Sequence, residues 1–341
     1  MSNQTTVTDF FLLGFSDTRE QQILHFLLFL VIYVTALLGN LIVITVIAFD
    51  CHLHTPMYFF LSNLSFLDLC YISVTVPKSM ANSLTNNRLI SFSGCVTQVF
   101  LVLTFAAAEL FFLTVMAYNC YVAICHPLHY KVIMNRGTCA QMAAGSWISS
   151  MIFSASQTAN TFRLHFCRSN AVAQFYCDIP QLLKISCSDS HAIVIIMYVL
   201  GSLLDAVCFA LITVSYVHIF STVLRIPSEQ GRYKAFSTCL PHMVVFALFI
   251  GTASFMYMRP KTNSSTTLDL IASVFYCVVP PLMNPIIYSL RNKEIKASVG
   301  KMTRRIFFLK KNEFLTLNSK RPLGKKCSHV APGTIGQADF V

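Results

Sequence analysis

Charge is what this sequence has least of. Asp, Glu, Lys and Arg make up 11% of its 341 residues, and 55% of the chain is hydrophobic, whereas a soluble domain carries about 25% charged residues. That balance excludes a soluble globular protein. Between the scarce charges lie uncharged runs at Gln21 to Phe49, Gly137 to Phe162, Ala235 to Met258 and Leu270 to Leu290. Each is long enough to cross roughly 30 Å of hydrocarbon as a helix, which takes about 20 residues. Thr55 to Pro77, Leu89 to Tyr130 and Ser190 to Leu224 qualify too if each keeps one acid inside, namely Asp68, Glu109 and Asp205. The expected fold is an all-α membrane protein, a seven-transmembrane helix bundle over residues 23–290, with an extracellular segment 1–22 and a basic cytoplasmic tail 291–341.

Other absences narrow the function. No span repeats another, which argues against a carrier built from two symmetric halves. The last span holds no lysine, so retinal has no Schiff-base partner there. No metal-ligand cluster, phosphate loop or nucleophile elbow occurs, and the loops are too short for a catalytic domain; the chain reads as no enzyme. The first apolar run follows some twenty polar and mixed residues and has no small-residue cleavage site, so it reads as a retained anchor rather than a signal peptide.

What charge there is, is uneven. From Arg291 onward twelve Lys and Arg face Glu294, Glu313 and Asp339, so the tail supplies +9 of the formal +11. Basic segments stay cytoplasmic, which puts the carboxyl terminus inside and, with an odd number of spans, the amino terminus outside. The same charge suits anionic membrane lipids and not nucleic acid, which would require it on a folded soluble surface. Of thirteen cysteines, Cys95, Cys167, Cys177 and Cys187 fall on the oxidising outer side, where four allow three pairings. The sequon at Asn3 lies outside and reads as glycosylated, while the sequon at Asn63 lies within a span.

Several stretches together resemble one family, the odorant receptors of the rhodopsin-like G-protein-coupled class. They are "GN" at Gly39-Asn40, "PMYFFLSNLSFLDLCY" from Pro56, "MAYNCYVAICHPLHY" from Met116, "SYVHIFSTVLRIPSEQGRYKAFSTCLPH" from Ser215 and "PPLMNPIIYSLRNKEIKASV" from Pro280. The resemblance runs from about Phe10 to Met302. It implies a multi-pass plasma-membrane receptor whose partners are a small-molecule odorant and a stimulatory-type olfactory heterotrimeric G protein. It also implies the pairings Cys95 with Cys177 and Cys167 with Cys187.

Asp68 and Glu109 are ionisable groups inside the membrane, which are rare and mark function. At about 1.5 Å per residue they lie at similar depth, and Asn40 and Asn284 approach the same layer. Similar receptors hold a sodium ion or a shared proton there, the one cofactor implied; two neutral hydrogen-bonded acids are the alternative. Asp205 stands alone in the fifth span; ligand contact is one reading of it, and a protonated acid bonded to a neighbouring helix is the one favoured. The odorant pocket is expected in the outer half, with Val102, Leu103 and Ala106 facing inward by periodicity from Glu109, and with Leu200, Leu204, Ala253, Ser254 and Tyr257 on the other walls. That lining is apolar, fit for volatile molecules held by burial at about 25 cal/mol per Å².

The output end departs from the family. Similar receptors read Asp-Arg-Tyr where this chain has Asn119-Cys120-Tyr121. Arg is a fixed cation with five donors, and Cys120 offers one weak donor. Losing a charge-assisted contact worth about 1.5 to 3 kcal/mol weakens coupling by about one to two powers of ten. The resemblance assigns activation also to Tyr216, Lys234 and His242, and to Asn284, Pro285 and Tyr288 as a relay around a kinking proline. Two readings follow: a signalling odorant receptor, or a receptor-shaped protein that binds ligand and couples poorly. Lys131, Arg232 and Lys234 are the cations that could carry coupling in place of the missing arginine.

Overall fold

The structure is a computed structural model and describes residues 8–15, 18–85, 87–166, 170–187, 191–257 and 266–315. Helices run in the order α1 (Arg19–Phe49), α2 (Pro56–Thr85), α3 (Phe92–Cys125), the short α4 (Tyr130–Ile133), α5 (Arg136–Phe162), the short α6 (Ile179–Ile185), α7 (His191–Leu224), α8 (Glu229–Tyr257), α9 (Thr266–Arg291) and α10 (Lys293–Leu315). Seven of them, α1, α2, α3, α5, α7, α8 and α9, form the bundle. The sequence sets their ends. Pro56 opens α2, where a missing N–H costs nothing. Ser91 caps α3 by accepting from Gly94 N at 3.1 Å, and Asn135 caps α5 by accepting from Thr138 N at 3.0 Å. Such caps contribute about 1 kcal/mol each.

Six of the seven are apolar enough by composition to cross a membrane. The exception, α5, is long enough at 27 residues, about 40 Å. Its inner side carries Ser146, Ser150, Ser154, Gln157, Thr158 and Thr161, all buried, and these dilute its hydropathy. Their hydroxyls are partly satisfied within the helix, as Ser146 donating to Met142 O and Thr161 to Gln157 O, both at 2.9 Å. Small polar residues let α5 lie close to α3, its main neighbour.

The amino-terminal segment is not a plain leader to α1. β1 (Asp9–Leu12) is the centre of a three-stranded sheet, antiparallel to β2 (Leu89–Ser91) and parallel to β3 (Ala171–Val172). Phe10 and Leu12 point inward and are buried, with Phe10 packed edge-on to Phe166 at 5.4 Å. Sequence periodicity gave no warning of strands this short.

At the opposite end α10 is tied to the bundle. Asn292 accepts from the Glu294 and Ile295 amides and caps it, and the Tyr58 hydroxyl reaches Glu294 Oε2 at 2.7 Å. Ser298 Oγ donates to Asp50 Oδ2 at 2.6 Å, beside Lys301 at 3.6 Å. The Ser298 bond, the His52 amide and the Lys301 charge hold the Asp50 carboxyl below its ordinary value. A depressed acid stabilises the fold above its unfolded pKa, so this docking is complete at neutral pH and is lost only as pH falls through that lowered value.

Candidate functional site

The bundle interior has three functional layers. In the outer layer Val102 and Ala106 of α3 pack with Ala253 and Tyr257 of α8 in one apolar cluster. Leu103 instead sides with the cluster under the sheet. Ser254 is half-buried. Leu200 does not join the lining: at 52% exposure it stands with Val199 and Leu203 on the open side of α7, whereas Leu204, one turn on, is half-buried. Counting from Glu109 fixed the phase of α3, but nothing in the sequence fixed the phase of α7.

Sequence reasoning missed four contributors to this layer. Phe175 and Tyr176, from the loop before α6, are buried in the cluster, and so are Tyr71 of α2 and Tyr276 of α9. Tyr276 meets Tyr71 edge-on at 6.2 Å and Tyr257 at 5.5 Å; the Tyr71 hydroxyl lies 3.6 Å from Cys277 Sγ. The lining is therefore aromatic with hydroxyl handles rather than aliphatic. A signal for two of them existed, since Tyr71 follows Asp68 by three residues and Tyr276 precedes Asn284 by eight, each on the face of its functional neighbour. The loop is held down by the Cys95–Cys177 disulfide, with Cα atoms 5.6 Å apart, and by Gln98, which accepts from Cys177 N at 2.9 Å and donates to Val74 O at 3.0 Å. Cys187 is disulfide-bonded; its expected partner Cys167, like Asn3, lies outside the described residues.

The middle layer joins Asp68, Glu109 and Asn284, all buried. Asn284 Nδ2 donates to both carboxylate oxygens of Asp68, at 3.2 and 3.0 Å, and lies 3.3 Å from Glu109 Oε1. Asn40 does not bind the acids. Pro285 has no N–H to offer the Pro281 carbonyl four residues back, and Asn40 Nδ2 donates to that carbonyl at 2.9 Å. Gly39 belongs to the same device, because a Cβ there would sit 3.0 Å from Pro285 Cγ. Asn40 Oδ1, Asn284 Oδ1 and the Tyr288 hydroxyl are buried and have no hydrogen-bond partner among the described residues.

The inner layer holds Asn119 and Cys120. Cys120 is 4% exposed and lies against Cys239 of α8, near Tyr216 and Tyr288. Asn119 accepts from the Tyr130 hydroxyl at 3.0 Å, and Tyr121 pairs with His126 at 2.9 Å. His242 bridges three helices. Its Nε2 lies 2.9 Å from Leu113 O of α3, and its Nδ1 pairs with the Tyr216 hydroxyl of α7. A carbonyl only accepts, so Nε2 carries the proton and Nδ1 accepts from Tyr216. Lys234 is exposed at the start of α8. His242→Phe removes both bonds and should cost about 1 to 3 kcal/mol, with Tyr216→Phe costing roughly half. Thermal unfolding of the purified receptor measures this; equal midpoints for all three chains would mean the bridge carries no stability.

Asp205 has no hydrogen bond or ion pair among the described residues, contrary to its expected bond to a neighbouring helix. Its side chain is exposed, although its helical angle is that of the buried residues Gly201, Cys208 and Ile212.

The comparisons agree on what kind of protein carries this arrangement. The olfactory receptor family model matches residues 29–305. Human olfactory receptor 14A16 is 54% identical over 89% of this chain and 98% of its own length, and human olfactory receptor 14C36 is 52% identical over 90% and 99%. The fold matches squid rhodopsin with a TM-score of 0.65 over 91% of this chain and 95% of that one, at 14% identity. The chain belongs to the olfactory receptor family: it is an odorant-sensing G-protein-coupled receptor of the plasma membrane, and not an enzyme.

Proposed function

We propose that this receptor binds small, mostly apolar volatile molecules between α3, α7, α8 and α9 and signals through a stimulatory-type olfactory G protein, with its amino terminus outside the cell. The observation that carries this reading is the aromatic cluster of the outer layer, closed from above by Phe175 and Tyr176 and directly overlying the Asp68, Glu109 and Asn284 layer along α2, α3 and α9. A ligand that displaces the Tyr71, Tyr257 and Tyr276 rings moves helices that hold that layer. Burial of such a ligand contributes about 25 cal/mol per Å². Cyclic AMP measured against an odorant mixture, in cells that also express a trafficking helper, tests it; no rise over receptor-free cells, with receptor at the surface, would refute signalling.

A specific observation favours the second reading, that of a receptor that binds and couples poorly. Cys120 is buried and uncharged at the position where the resemblance expects arginine, while Lys131 and Lys234 are exposed and Arg232 is half-buried beside Glu229 at 4.0 Å. Odorant binding with no cyclic AMP response is the result this reading expects.

The middle layer suits a monovalent cation or a shared proton. The carboxyl groups of Asp68 and Glu109, both within reach of Asn284 Nδ2, are hard oxygen donors, and a bound cation would supply the positive charge that lets both acids ionise. Asp68→Asn is expected to lower thermal stability and to flatten its dependence on sodium and pH. Stability curves for the variant that overlay those of the natural chain across both titrations would remove the coupling between Asp68 and Glu109.

A further inference from the structure

Asp205 is the single acid of α7. A helix advances about 100° per residue, so the buried residues Gly201, Cys208, Ile212, Tyr216, Ile219 and Val223 share an arc of about 80°. Asp205, three residues before Cys208, falls inside that arc. Among the described residues of the arc it alone is exposed. Asp205 therefore combines the angular position of the inward stripe with an exposed side chain.

Neighbouring contacts fix the direction. Gly201, one turn outward, abuts α5, where an added Cβ would lie 3.1 Å from the Phe153 ring. Cys208 lies against Thr114 of α3. On the other flank Phe209 meets Phe246 of α8 with ring centroids 5.9 Å apart. By helical angle Asp205 falls between these two contacts, on the side of α7 turned toward the gap between α3 and α8, and α7 packs along α3 while touching α8 only sparsely. The half-buried residues on the facing sides are apolar, among them Leu204 of α7 and Phe246 and Ile250 of α8.

We propose that Asp205 anchors the ligand's head group and that the preferred ligands are small amines, protonated at neutral pH, with a compact apolar body. An acid with no partner among the described residues, at membrane depth, is costly to ionise. An ammonium group brings both the countercharge and the N–H donors that remove this cost, while the hydrocarbon part covers Leu204 and Phe246. An alcohol offers a single neutral donor, and a carboxylate is repelled. This inference rests on the odorant-receptor reading and specifies its ligand class.

The test is binding to the full-length receptor in lipid nanodiscs, read as a thermal shift so that no G protein is needed. The probes are 1-aminohexane, 1-hexanol and hexanoate. The amine should half-saturate the shift at a concentration about tenfold to a hundredfold below the alcohol, with hexanoate weakest. Asp205→Asn should bring amine and alcohol to parity, and Asp205→Glu should keep the preference, which a merely structural acid would not. Equal amine and alcohol binding in the natural chain, a preference that survives Asp205→Asn, or no shift with the amine would each overturn the proposal. So would an amine preference untouched by Asp205→Asn while the variant changes the monomer–dimer ratio, since the acid would then face a second copy. A neutral odorant mixture in the same assay separates the two levels. Stabilisation by that mixture alone sinks the amine class, and stabilisation by nothing sinks odorant binding as well.

Discussion

Replacing Asn119 with Asp and Cys120 with Arg is expected to raise the ligand-driven cyclic AMP signal by about one to two powers of ten, the value of a charge-assisted contact of about 1.5 to 3 kcal/mol. Cys120 is buried, so an arginine there has to find its acceptors inside the bundle. The Tyr288 hydroxyl nearby is buried and accepts from no one, and a guanidinium needs acceptors for its five donors. Asp at 119 still accepts from Tyr130, as Asn119 does, so the loop around α4 stays anchored. Cys120→Arg alone should raise the basal signal too, because no neighbouring carboxylate holds the arginine at rest. The measurement is cyclic AMP with and without an odorant mixture, at matched surface expression, for the natural chain, the single and the double substitution. Equal signals from all three, well above cells without receptor, would assign coupling to other cytoplasmic residues.

The second large effect is on folding. Cys95→Ser with Cys177→Ser is expected to remove the receptor from the cell surface. The bond links positions 82 residues apart, and loop-closure entropy at that separation is worth about 4 to 5 kcal/mol as an upper bound, since helices already inserted shorten the free chain. More is lost than the crosslink. The same loop delivers Cys177 N to Gln98 and seats Phe175 and Tyr176 in the outer cluster, so its release unroofs the aromatic layer. Surface labelling of intact cells measures the result; undiminished labelling of the double variant would show that Gln98 and the ring packing suffice.

How much of this was legible beforehand depended on the kind of signal. Hydropathy runs located the long helices because each must bury its own backbone polarity across the membrane. Even α5 was visible by length, although its Ser and Thr stripe weakened the signal. Asp68, Glu109 and Asn284 met because acids at matched depth have few other places to go. Asn40 had a different partner, and only the missing N–H of Pro285 explains which. The phase of α7 was not legible: its exposed residues are as apolar as its buried ones, so Leu200 was assigned inward while Asp205, on the inward stripe, was given a partner that none of the described residues supplies. Phe175 and Tyr176 escaped because a loop has no period to count.

The sheet at the outer end imposes an order in time. β1 leaves the ribosome first, yet Asp9 pairs with Ser91 and Phe11 with Ala171, residues that emerge only after two more helices and then a further two. The first strand synthesised must therefore wait, unpaired, through the insertion of four spans. Its closure reports that the outer half of the chain has been threaded correctly, and a quality-control receptor inspecting exposed Phe10 and Leu12 would read an unfinished bundle directly.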